Sequence, residues 1–335
     1  IQTAVDLMTA EALERLTSQD AAVLILAICF HDSAMHLSED GFYSLINPNN
    51  KWNLVDFFDS TEWSKLWREF LGEARRFDDR KLLAIFGDTK PISIPPTSAI
   101  DLSKRDRLLI GEFLRRHHAR LAHEIALNGV PSINGSEYRI FDVYPDSSLE
   151  NLAGAIARSH GMDLRKCIDY LKKERALTEY QGVHSVYLMV LLRIADYLQI
   201  QERRAPSEIL KIRVLVSPIS QSEWKVHHCI RNISLGDNDP EALFIDARPE
   251  DIHTFLRVKQ WLEGIQKELD ISWAVLGEVY GRLTKEEFNK FTLNLRRIRS
   301  SIDDLKIFSE EVKFVPEKIA FEASNSDLLK LLIGP

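Results

Sequence analysis

The chain has 335 residues, 45% hydrophobic and 28% charged, an ordinary globular balance at a length that exceeds one average domain and leaves room for two cores. Its net charge of −7 supplies no global drive toward nucleic acid, although local basic patches stay compatible with it. There is no apolar run of about eighteen residues, so no membrane helix is expected. Three cysteines, Cys29, Cys167 and Cys229, lack zinc-knuckle spacing and suit reduced core thiols in a cytoplasmic protein better than a disulfide framework.

From Leu7 to about Leu198 apolar residues recur every three or four positions, which predicts a mainly α first unit over residues 1–204. Thr17 or Ser18 can cap a helix through Ala21–Phe30; its apolar residues all round predict burial on every face, and it ends at His31 and Asp32. Between about 41 and 103 the texture changes. Pro48, Asn49 and Asn50 mark a turn, Thr61–Phe77 is Trp-rich and amphipathic, and Pro91–Pro96 breaks regular structure, so this stretch reads as an inserted flap. A long helix is predicted from about Lys104 to Asn128, with His118 on its apolar face and Gly129 as its stop. Ser147 and Glu150 resemble a capping box that opens a helix ending at His160 and Gly161. Val183–Leu198 is another densely apolar helix, and its single acid is Asp196.

Beyond Arg203 and Pro206 the period becomes two. Ile212, Val214 and Val216 predict a strand, with further strands at Val226–Ile233 and Leu243–Ala247. A helix over about Pro249–Tyr280 and another through Phe291–Leu305 complete an α+β adaptor at 205–305, and residues 306–335 read as a connector. No internal repeat or low-complexity tract occurs. Ile1 in place of Met, and the abrupt apolar run Leu328–Pro335, read as the ends of a piece cut from a longer chain.

The chemistry lies in the densely apolar helices, which carry His31 with Asp32, His118, His160 and Asp196. Buried ionisable groups are costly unless paired or coordinated, and one divalent cation satisfies several at once. Mixed imidazole and carboxylate donors suit Mn, Fe, Co, Ni or Zn and are a poor match for calcium.

These residues resemble a known family. ILAICFHDSAMH is similar to the dyad helix of the HD-domain metal-dependent phosphohydrolases, and LLRIADYL to their closing Asp helix. RRHHARLAHEIA and IARSHGM resemble the segments that supply two further histidines in members with two metals. The likeness covers roughly residues 1–204 and implies a helical HD bundle. It implies that Asp32, the catalytic carboxylate, bridges two cations, with His31 and Asp196 on one and His118 and His160 on the other. Hydrolysis of phosphate esters would follow, most simply of nucleotides or nucleic acid, with Arg115, Arg116 and Arg120 as candidate phosphate ligands. The sequence departs from the family in two places. No His occurs between Ile1 and Phe30, which leaves one family ligand upstream or missing, and Ser33, Ala34 and Met35 stand where many members have Gly and Lys.

RRIRSSIDDLKIFSEEV and LLKLLIGP are similar to a narrower bacterial group, in which an HD region precedes a gyrase, histidine-kinase and MutL-like ATPase domain. That resemblance implies an ATPase, with ATP and Mg, beyond residue 335, and an alternative role for the present residues as a non-catalytic metal- or nucleotide-binding sensor that gates it. A homo-oligomer is left open.

The remaining histidines, His36, His117, His123, His184, His227, His228 and His253, read as surface or structural residues, with His36 and His184 the first substitutes as ligands. Arg296–Arg299 read as a solvated helix face salt-bridged to Asp303 and Asp304. Trp63, Trp67, Trp224, Trp261 and Trp273 read as packing residues, and Cys29 as a small core hydrophobe.

Overall fold

The computed structural model of the chain describes residues 1–49, 61–97, 99–132, 147–173, 182–200, 217–236, 239–281, 291–305, 308–309, 312 and 314. Two short helices, α1 (Gln2–Asp6) and α2 (Ala10–Arg15), lead into α3 (Ser18–Phe30). Thr17 is the α3 cap: the Asp20 N–H donates to its hydroxyl at 3.0 Å, and the Thr17 N–H donates to the Asp20 carboxylate at 2.9 Å. Val23, Leu24, Ala27 and Phe30 are buried, whereas Ala21, Ala22, Ile25 and Cys29 are exposed. The expectation of burial all round is therefore corrected, and Cys29 is a surface thiol while Cys167 and Cys229 are buried. Apolar character predicts which residues can be buried; only the number of neighbouring helices decides how many are.

Next come α4 (Glu39–Leu45), α5 (Trp63–Ala74) and α6 (Asp79–Phe86), within the stretch expected to be a flap. Their residues Phe42, Leu45, Trp63, Trp67, Phe70, Leu82 and Ile85 join the main hydrophobic cluster, so these helices are built into the core. The turn expected at Pro48–Asn50 falls at the edge of the described residues. The long α7 (Lys104–Asn128) is capped by Ser103 and Asp106 in a reciprocal box and stopped by Gly129, whose φ of 80° is open to glycine and strained for other residues. Helices α8 (Ser147–Ser159), α9 (Leu164–Lys173) and α10 (Ser185–Tyr197) complete the bundle.

The packing of α8 on α7 depends on small residues. A Cβ at Gly154 would lie 3.0 Å from the Ala126 Cβ, and one at Gly161 would lie 2.4 Å from the Ala119 Cβ. Both are closer than ordinary contact, so the two helices approach only because these positions carry no side chain.

The strand expected around Ile212–Val216 lies outside the described residues. After them, Ser217 caps α11 (Pro218–Cys229), with Pro218 in the first turn. The strand expected at Val226–Ile233 is thus corrected: it begins only at Ile230, because Ser217 and Pro218 start a helix that runs to Cys229. Strands β1 (Ile230–Gly236) and β2 (Asp239–Ala247) pair antiparallel, and β3 (Arg297–Ser300) pairs parallel to β2, giving the order β1-β2-β3. A parallel pair requires a crossover, and α12 (Ile252–Tyr280) lies within it. The helix expected through Phe291–Leu305 is corrected by β3. Arg297 pairs with Asp239 at 2.6 Å across the sheet, while Asp303 accepts from the Ser300 N–H at 2.7 Å. The parallel pairing of β3 with Ala242–Ile245 is non-local and leaves no strand signal along the chain.

Helix α12 joins the two clusters. Phe255, Val258 and Leu262 pack with Ile230, Ile245 and Ala247 of the sheet, and Ile265, Leu269, Val275 and Leu276 pack in the main cluster. Trp63 and Trp67 are buried in packing roles, and the indoles of Trp261 and Trp273 donate to the Tyr197 and Leu295 carbonyls at 3.2 and 2.9 Å. No single helix among the described residues is long and apolar enough to cross a membrane.

Candidate metal centre

Four helix ends or faces bring the predicted residues together. His31 is the C-cap of α3, and Asp32 follows it at the head of a 3₁₀ turn, Ser33–His36. His118 lies on α7, His160 just after α8, and Asp196 in the last turn of α10. His31 Nε2 is 3.3 Å from Asp32 Oδ2 and 3.6 Å from Asp196 Oδ1. His118 Nε2 is 3.7 Å from Asp32 Oδ1 and 2.7 Å from His160 Nε2. Two donor groups result, one of His31, Asp32 and Asp196 and one of Asp32, His118 and His160, each with its ligand atoms within 4.8 Å of one another. Asp32 belongs to both, facing His31 with one oxygen and His118 with the other.

The imidazoles share one orientation. His31 Nδ1 donates to the Ile28 carbonyl at 2.7 Å, His118 Nδ1 to the Arg115 carbonyl at 2.7 Å, and His160 Nδ1 to the Ala157 carbonyl. A carbonyl only accepts, so the proton of each neutral ring sits on Nδ1, and Nε2 presents a lone pair. This backbone anchoring is how metal-binding histidines are commonly held. The His118 and His160 lone pairs then face each other at 2.7 Å, an arrangement that repels unless a cation or a proton lies between them. The donor set thus fits a divalent transition metal.

The electrostatics separate the two groups. Burial lowers the affinity of His31 for protons, yet the hydrogen bond that the protonated ring donates to Asp196 and the charge of Asp32 outweigh it and raise its pKa. His160 is lowered, chiefly by burial. Burial would raise the Asp196 carboxyl, but His31 and the neighbouring imidazoles pull it below the usual carboxylate range.

A family model described as HD-CE matches residues 1–271. The chain belongs to the HD-CE family. The match runs through the helical bundle, across β1 and β2 and into α12, so this HD-CE chain carries an HD-type domain. Comparison with curated proteins and with solved structures gave no match.

The other predicted residues of the HD-CE chain are placed differently. Arg120 is buried, holds Glu124 at 2.8 Å and lies over the Trp63 ring, and Arg116 binds Glu112 and Glu73 and covers Phe70. Both guanidinium groups are held within the structure by buried or adjacent acids. Arg115 also pairs with Glu112, at 2.7 Å, but stays half exposed one turn before His118. His184 is no ligand substitute: its Nδ1 meets Asp20 at 2.9 Å and its ring lies against Phe291. His36 is exposed on the 3₁₀ turn, and His117 packs against Trp63 and Phe113. Sequence reasoning missed Arg193, which binds Glu268 of α12 behind the centre. Its signal was available, as the lone base in a helix otherwise apolar apart from Asp196.

Proposed function

We propose that this HD-CE chain is a metal-dependent phosphohydrolase, with His31, Asp32 and Asp196 holding one cation and Asp32, His118 and His160 a second. The observation that carries the reading is the common orientation of the histidines, whose Nε2 lone pairs converge on a carboxylate that faces both groups. A divalent cation so held supplies Lewis acidity toward a phosphoryl oxygen and makes water a nucleophile at neutral pH. The chain's own part is to fix ligand geometry through the three backbone carbonyls and to neutralise charge. Asp32 is more than half exposed, which leaves the centre open to a large substrate. In this reading Arg115, half exposed one turn from His118, exchanges Glu112 for a phosphate oxygen.

Phosphate esters of nucleotides or nucleic acid are the proposed substrates, and a gyrase, histidine-kinase and MutL-like ATPase domain beyond residue 335 the proposed partner in the same polypeptide. Both rest on resemblance. The commitment of Arg116 and Arg120 to internal acids favours a second reading, a non-catalytic metal- or nucleotide-binding sensor that gates such an ATPase.

Elemental analysis of the purified chain, followed by turnover of bis(p-nitrophenyl) phosphate and a nucleotide panel with Mn or Ni, tests the proposal. Bound metal and turnover abolished by Asp32→Ala, with the circular dichroism of the folded protein retained, are expected. Turnover that survives Asp32→Ala, or a chain that takes up no divalent metal, defeats it. Metal uptake without turnover across the panel selects the sensor.

A further inference from the structure

Within α10 the sequence SVYLMVLLRIADY contains two charged residues, Arg193 and Asp196, three positions apart and therefore on one side of the helix. Asp196 faces the metal centre. Arg193 is buried, with Nε 2.5 Å from Glu268 Oε1 and Nη2 2.9 Å from Glu268 Oε2. Its remaining arm, Nη1, donates to the Ser159 carbonyl and, at 2.6 Å, to the Met162 carbonyl.

Those carbonyls bracket His160. The end of α8 tightens here into i→i−3 bonds, with Gly161 N–H to Arg158 O at 3.2 Å and Met162 N–H to Ser159 O at 3.1 Å. A guanidinium that grips the carbonyl before His160 and one two residues after it fixes the position of the His160 backbone. The Ala157 carbonyl then turns the ring so that Nε2 meets His118.

Resting on the metal reading above, we infer that Arg193, held by Glu268, is a positioning residue for the Asp32, His118 and His160 group. A buried ion pair contributes little net stability, because desolvation offsets the attraction, so its value lies in geometry. The planar fork is what the site needs, since it meets a carboxylate with two donors and two carbonyls with the third. Glu268 sits on α12 between Ile265 and Leu269 of the main cluster, a little beyond Phe255, Val258 and Leu262, which pack on the sheet. The sheet and the metal centre are thereby tied through one side chain, and His160 is placed only as well as α12 is seated.

The test is titration of the metal-free full chain with cobalt(II), read by visible absorption and calorimetry, for wild type, Glu268→Gln, Arg193→Lys and, as a control, Asp20→Asn. Wild type is expected to bind cobalt, and the Glu268 and Arg193 variants to bind it about 10- to 100-fold more weakly with an altered spectrum, as outer partners of metal ligands do. Asp20→Asn, which breaks a buried pair elsewhere, is expected to lower the melting temperature and leave cobalt affinity unchanged. If a single variant unfolds, Arg193→Met combined with Glu268→Met removes both charges together and is expected to fold and to show the same weakening. Wild-type affinity and spectrum in folded variants overturn the positioning role alone. No cobalt binding by wild type overturns the metal reading, and this inference with it.

Discussion

His118 and His160 meet through their Nε2 atoms, 2.7 Å apart, while both Nδ1 atoms are turned to carbonyls of their own chain segments. In that state neither ring can donate to the other, so the pair is held together by the helices that carry it. Chelator treatment should therefore lower the melting temperature, and added Mn or Ni should restore it in a concentration-dependent way. At 100 times the dissociation constant the gain is about 2.7 kcal/mol per site. His160→Ala should remove one bound equivalent and Asp32→Ala both. Equal metal content in all three proteins would count against the shared-carboxylate arrangement.

The approach of α8 to α7 can be tested at one atom. Gly161→Ala places a methyl group 2.4 Å from the Ala119 Cβ, one residue from each histidine. Overpacking of this kind costs about 1–3 kcal/mol, and here it should also weaken metal binding by separating His118 from His160. Gly72→Ala on α5 meets nothing within 4 Å and should stabilise by about 1 kcal/mol, as alanine does in a helix interior. Urea unfolding of both variants decides the matter; equal effects would mean that the helix separation is not set by Gly161.

Asp20 should give the stability profile an acid limb. Burial would raise its carboxyl, but hydrogen bonds from His184 and the Thr17 N–H hold it below the usual carboxylate range. A depressed folded pKa contributes stability that is complete above the unfolded value, near about 3.9, and is lost as pH falls through the folded value. Asp20→Asn should thus be destabilised at pH 7 and differ less from wild type as pH falls below about 4. Denaturation midpoints at pH 7, 5 and 3 measure this, and a gap that stays constant with pH would falsify it.

Thr17→Ala removes the other half of the α3 cap and should cost about 1 kcal/mol without changing metal content. A loss of metal in this variant would show that the start of α3 controls His31 at its far end, contrary to expectation.

If Arg115 binds phosphate as proposed, Arg115→Ala should raise KM for a phosphodiester several-fold and change kcat less, since the half-exposed guanidinium pairs with Glu112 and does not hold the centre. Arg120→Ala should instead destabilise by about 3–5 kcal/mol, since it takes from the buried Glu124 the guanidinium that lies 2.8 Å away and leaves the Trp63 indole in its place as donor. Steady-state kinetics with melting curves separate the two, and a pure KM effect at Arg120 would reverse the assignment.

Much of the centre was legible because its signals are local. A capped, periodic helix with a glycine stop announces α7 from Lys104 to Asn128, and a lone acid in an apolar helix announces a partner for Asp196. The fates of Arg115, Arg116 and Arg120 were not legible. The three lie within two turns of one helix, and what separates them is Glu112 on that helix, Glu73 on α5, and Glu124 with Trp63 in the core.

By itself the sequence determined which residues could ligate a metal, that α3, α7, α8, α10 and α12 are helices and where most of these stop, since turn-by-turn hydrogen bonding and caps depend on neighbours a few positions away. Only the tertiary structure decided that β3 is a parallel strand, that one face of α3 remains bare, that Asp32 faces two groups at once, and that Arg193, held by Glu268, grips the carbonyls on either side of His160. Those outcomes depend on contacts between segments tens to hundreds of residues apart, whose energies come from burial and charge pairing and leave no period along the chain.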